Sequence, residues 1–141
     1  MKRIEVLVSV TLMVGLVVGV LGTRMLSAQQ QLGKGTILQR AELTGVKGKE
    51  AILVLRDLPP GAESGKHMQA GNEIVYIVEG SVILEVQGKP AVTLKAGEAF
   101  QTKAHEVHNV KNASPTAPGK ALAFYVAKKG AALQDLSLPA K

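Results

Sequence analysis

The chain has no cysteine and no tryptophan, and its aromatic residues are two tyrosines and two phenylalanines among 141 residues. The missing thiols exclude disulfide cross-links and thiolate chemistry, so any bound metal must be held by nitrogen and oxygen. With so few rings, a stacking platform for bases is not expected, and Tyr76, Phe100, Phe124 and Tyr125 read as packing residues. The sparse aspartates, Asp57 and Asp135, lie outside the clusters of other polar residues. A Gly-x-Ser-x-Gly elbow and a phosphate-cradling glycine loop are both missing, which argues against a hydrolase triad and a nucleotide site.

One long hydrophobic run is present. After Met1-Lys2-Arg3, Ile4 and Glu5, the residues from Val6 to Thr23 form eighteen consecutive positions without a charge. A basic start, an apolar run and the small pair Ser27-Ala28 before Gln29 read as an export signal covering residues 1–28. The run is also long enough to span a bilayer, so an uncleaved transmembrane anchor through residues 4–23 stands beside the cleaved signal. Lys2 and Arg3 precede the run, which places the remainder beyond the inner membrane, periplasmic, extracellular or membrane-anchored.

Removing residues 1–28 leaves 113, enough for one domain with its own core and too few for two. The removed part carries three positive charges and one negative, which lowers the formal charge from +6 to +4. The lysines from Lys34 to Lys141 are scattered and not interleaved with aromatics. This is a solvated surface, and no nucleic-acid partner is expected.

The domain divides into a linker and first edge segment at 29–49, a β-rich body at 50–128 and a C-terminal tail at 129–141, expected as an extended, partly mobile edge. Short β-type runs cover Ala51–Leu58, Glu73–Val78, Ser81–Val86, Ala91–Leu94, Ala99–Thr102 and Ala121–Ala127, an all-β sandwich or barrel pattern. Glu79-Gly80, Gln87-Gly88-Lys89-Pro90 and Lys95-Ala96-Gly97-Glu98 punctuate them with turn residues. Alternation sets Val82, Leu84 and Val86 on one face, and Leu122, Phe124 and Val126 on one face of the last strand. Both faces are expected to form the core.

Chemistry concentrates between Gly61 and Gly80. Residues i and i+2 of a strand point the same way, so His67 and Gln69 share a face while Met68 turns aside. Ala70-Gly71-Asn72 makes a turn, and Glu73 opens the returning strand near His67. His108, from the segment Gly97–Asn112, completes a candidate metal site of imidazole nitrogen and carboxylate or amide oxygen. Glu73 has two readings, a metal ligand or a general base.

The segment Gly61, five residues, His67, Met68, Gln69, three residues, Glu73, six residues, Gly80 resembles the first cupin motif. Gly97, five residues, Lys103, Ala104, His105, two residues, His108, three residues, Asn112 resembles the second, sixteen residues after Gly80. The resemblance, to small single-domain cupins, covers about residues 50–128. Three positions depart from the pattern: Gln69 where a second histidine is usual, Lys103 where a proline is usual, and His105 where a glycine is usual. Histidine tolerates positive φ better than most side chains, so the turn at His105 is expected to form.

The resemblance implies a double-stranded β-helix, or jelly-roll barrel, with a ligand in its mouth. It implies His67, Glu73 and His108 as ligands of a divalent transition metal, with Gln69 completing the shell or hydrogen-bonding to it. Two histidines and one carboxylate suit Fe(II) or Mn(II), with Ni, Cu or Zn also compatible. Asn112 is expected to fix backbone and His105 to be an exposed turn residue. Three functions follow: a metal-dependent dioxygenase of a small organic substrate, a non-catalytic metal or small-molecule binding or sensing module, and a metal-free structural domain. A homodimer paired through its sheets is the expected assembly.

Overall fold

A computed structural model describes residues 32, 33, 35–132 and 136–139. The expected signal or anchor within residues 1–28 lies outside them, and among the described residues no helix is long and apolar enough to cross a membrane.

Among the described residues ten strands follow in order: β1 (Thr36–Glu42), β2 (Lys49–Leu58), β3 (His67–Gln69), β4 (Glu73–Glu79), β5 (Ser81–Val86), β6 (Val92–Lys95), β7 (Ala99–Thr102), β8 (His108–Asn112), β9 (Gly119–Lys128) and β10 (Ser137–Pro139). They form two five-stranded sheets, β1-β2-β9-β4-β7 and β10-β3-β8-β5-β6, in which every pairing is antiparallel. This is the expected double-stranded β-helix. Strands β5 and β7 have the predicted bounds, while β2, β4 and β9 run two, one and three residues longer. Glycines carry the reversals: Gly80 turns β4 into β5 at φ 78°, and Gly97 turns β6 into β7 at φ 92°. Within the tail, β10 pairs with β3 and Leu136 is buried in the core.

Ile52 and Val54 of one sheet meet Val82 of the other between the layers, with Leu58, Val75 and Ile77 around them. Val82 and Leu84 are buried as expected. The last strand is the reverse of the expectation. Ala121, Ala123, Tyr125 and Ala127 face the core, and Phe124 and Val126 are exposed. The reason is register: Ala123 sits between Val54 of β2 and Val75 of β4, both inward, so its face is the core face of the whole sheet. Small side chains there leave space inside the barrel. The larger ones join Ile74 and Tyr76 on an outer apolar face.

Asn112, the last residue of β8, ties this scaffold together. Its buried side-chain amide donates to the carbonyls of Leu58, Pro59 and Ala117 at 2.9, 3.0 and 2.9 Å, and its oxygen accepts from Ser114 N at 2.9 Å. The expected backbone-fixing role is what the structure shows.

Candidate functional site

Strand β3 is three residues long and lies between β10 and β8. Its His67 is the register partner of His108, and the two rings stand 4.3 Å apart between centroids. Each ring is oriented from behind by the backbone two residues earlier: His67 Nδ1 donates to Gly65 O and His108 Nδ1 to Glu106 O, both at 2.9 Å. A carbonyl can only accept, so each Nδ1 bears the proton and each neutral ring presents its Nε2 lone pair. His67 Nε2 accepts from Gln69 Nε2 at 3.1 Å. His108 Nε2 and Gln69 Oε1 are buried with no hydrogen-bond partner among the described residues.

Glu73 opens β4 between Thr102 of β7 and Tyr125 of β9, so neighbouring strands place two hydroxyls beside its carboxylate. Thr102 Oγ1 donates to Oε2 at 3.3 Å, and Tyr125 also hydrogen-bonds the group. His108 Nε2 is 3.7 Å from Oε2, an ion-pair distance rather than a hydrogen bond.

These contacts separate the titrations. Burial favours a protonated Glu73, but the neighbouring His108 ring and Tyr125 hydroxyl, with the charges of both histidines, outweigh it and lower its pKa. Burial would lower the His108 pKa, yet Glu73 and the Glu106 carbonyl raise it overall. His67 is lowered, first by burial, with the charge of His108 adding to it. Burial and the Glu73 charge push the Tyr125 hydroxyl far up, so it remains a donor.

All four sequence-predicted residues, His67, Gln69, Glu73 and His108, line one cavity of about 280 Å³. Among the described residues, however, no group of three or more His, Cys, Asp or Glu side chains is gathered so as to hold a metal ion. Gln69 caps His67 Nε2, and Glu73 is held by hydroxyls. The donor chemistry nonetheless fits a first-row divalent cation: two imidazole nitrogens fixed by backbone carbonyls, one ionised carboxylate and an orphaned amide oxygen.

His105 takes φ 62° at the glycine position of the turn before His108 and is exposed, as expected. Its N–H donates to Gln69 O at 2.9 Å, joining the segments that carry Gln69 and His108.

Sequence reasoning missed two cavity residues, Arg56 and Tyr125. Arg56 interrupts the inward series Ile52, Val54, Leu58 of β2, and Tyr125 interrupts the alanines of β9. A polar group breaking a two-residue apolar period was the available signal. Arg56 Nη2 donates to Tyr125 Oη at 3.3 Å.

Comparison with known proteins agrees with this architecture. The cupin domain family matches residues 54–125. The beta-alanine degradation protein BauB of Pseudomonas aeruginosa is 37% identical over 71 residues, which are 49% of this chain and 75% of BauB. A Klebsiella pneumoniae protein with a double-stranded β-helix domain is similar in structure, with TM-score 0.55 and 18% identity over 74% of this chain and 84% of its own. A cupin domain from Bordetella pertussis has TM-score 0.53 and 21% identity, covering 69% of this chain and 94% of its own. At such identities the two structures show the fold alone.

Proposed function

The chain belongs to the cupin domain family, and on that premise we propose that its barrel holds one divalent transition metal beside a small organic ligand. His67 Nε2, His108 Nε2 and the Glu73 carboxylate would be the ligands, with Gln69 Oε1 at the edge of the shell. One observation carries the reading: both Nδ1 atoms are committed to backbone carbonyls, so both Nε2 atoms face one buried cavity, that of His108 without a partner among the described residues and that of His67 capped only by the Gln69 amide. Bound Fe(II) or Mn(II) would supply redox chemistry toward dioxygen, which makes a small dioxygenase the enzymatic form of the proposal. In that form the chain's own residues bind the ligand, keep Glu73 ionised and exclude water with an apolar wall that includes Val75, Phe100 and Val110. The apolar run after Lys2 and Arg3 supports a site of action beyond the inner membrane.

The alternative is a non-catalytic binding or sensing domain, and a specific feature favours it over acid–base catalysis. Glu73 is the only carboxylate lining the cavity among the described residues, so as a metal ligand it leaves no separate general base.

Elemental analysis of protein purified without chelator tests the proposal. Near-stoichiometric metal, lost in His67→Ala and His108→Ala, is expected. A metal-free preparation that resists reconstitution would overturn it. Oxygen uptake with small organic substrates then separates enzyme from binder.

A further inference from the structure

Among the described residues, a guanidinium inside the barrel has no ion-paired acid. Arg56 lies on the core-facing side of β2 and lines the cavity with His67, Glu73 and His108. The other described arginine, Arg40, is paired with Glu50. Among the described residues no carboxylate forms an ion pair with Arg56, and its one side-chain hydrogen bond goes to Tyr125 Oη at 3.3 Å. That leaves most of its five N–H donors for a ligand. Glu73 is otherwise engaged, by Thr102, Tyr125 and His108. A partly buried cation without a counter-charge is costly, and a guanidinium is matched by a planar carboxylate in bidentate geometry.

The backbone near Gly35 shapes this position. A Cβ at residue 35 would lie 2.8 Å from Arg56 Nη1 and 2.7 Å from Val54 Cγ1, so the chain passes directly against the guanidinium only because residue 35 is glycine. Charge points the same way. Arg56 and Glu73 cancel, so a divalent metal in the cavity would leave it positive and favour an anion.

We propose that Arg56 binds the carboxylate of the ligand, so that the cavity selects small carboxylic acids and directs their other end toward His67, Glu73 and His108. This rests on the cavity being a ligand site, and does not require the metal.

Calorimetry with glycolate, pyruvate and acetoacetate, each beside its neutral amide, tests it on Mn(II)-loaded and on chelator-treated protein. Each acid that binds is expected to do so roughly tenfold or more tighter than its amide in both forms. Arg56→Gln abolishes that preference, and Arg56→Lys restores part of it. Gly35→Ala displaces the guanidinium without removing its charge and weakens the acids relative to the amides, which keeps the test available if Arg56→Gln does not fold. Equal affinity for acids and amides, a preference unchanged in Arg56→Gln, or no binding of any acid at millimolar concentration overturns the proposal. Acid preference in protein that takes up no metal overturns the metal reading alone, and metal uptake without acid preference overturns the acid pocket alone.

Discussion

His67 and His108 are register partners on β3 and β8, with their rings 4.3 Å apart and tilted by 53°. Each is steered by a carbonyl two residues upstream, so two distant segments turn their Nε2 atoms toward one buried space. The second cavity-facing position of β3 is Gln69, whose amide nitrogen caps His67 while its oxygen has no partner.

Gln69→His should tighten metal binding, because imidazole is a better ligand for first-row cations than a neutral amide oxygen. The expected gain is roughly tenfold, about 1.4 kcal/mol, in competition with a fluorescent chelator. Unchanged affinity would remove position 69 from the shell.

In chelator-treated protein the two imidazoles should titrate on opposite sides of the ordinary histidine value, His67 below and His108 above. The stability terms have opposite signs. The raised His108 pKa gives stability that is full below the ordinary value and is lost as pH rises through the folded value. The lowered His67 pKa gives stability present above the ordinary value and lost as pH falls through the folded value. NMR titration of the ring protons checks the order, and the reverse order would refute it.

Asn112→Ala should destabilise the domain by roughly 2–3 kcal/mol, since it strips donors from three carbonyls at the end of β8. Urea denaturation measures the loss. A change below about 0.5 kcal/mol would mean that water or relaxation replaces those bonds.

His105→Val places a β-branched residue at φ 62° and should cost about 1–2 kcal/mol, whereas His105→Gly should stay within about 1 kcal/mol of the parent. Because His105 is exposed, both variants should keep the parent metal content. Loss of metal from His105→Gly alone would show that the ring acts in the site.

Much of the fold was legible because strands declare themselves locally. Alternation and Gly-bearing turns located β5 and β7 to the residue, and the two motif spacings brought His67, Gln69, Glu73 and His108 to a single cavity. The strand positions need only the two-residue period and the chain's reach between turns, whereas the convergence of His108 with the other three was what the cupin resemblance implied.

The tertiary structure decided what depends on partners. Which face of β9 turns inward follows from its place between β2 and β4, so alanines line the barrel while Phe124 and Val126 face out. Period two separates the faces of a strand without saying which one is covered. Arg56 was another such case. A lone arginine in a strand gains meaning only when the sheets close, with no carboxylate among the described residues ion-paired to it and its guanidinium beside Tyr125. The sequence alone located β2, β4, β5, β6, β7 and β9, the turns between several of them and the four residues of the candidate site, while β1, β8 and β10 were not among its runs. Packing decided the inward face, the histidine geometry and the cation in the cavity, because these depend on contacts between segments distant along the chain.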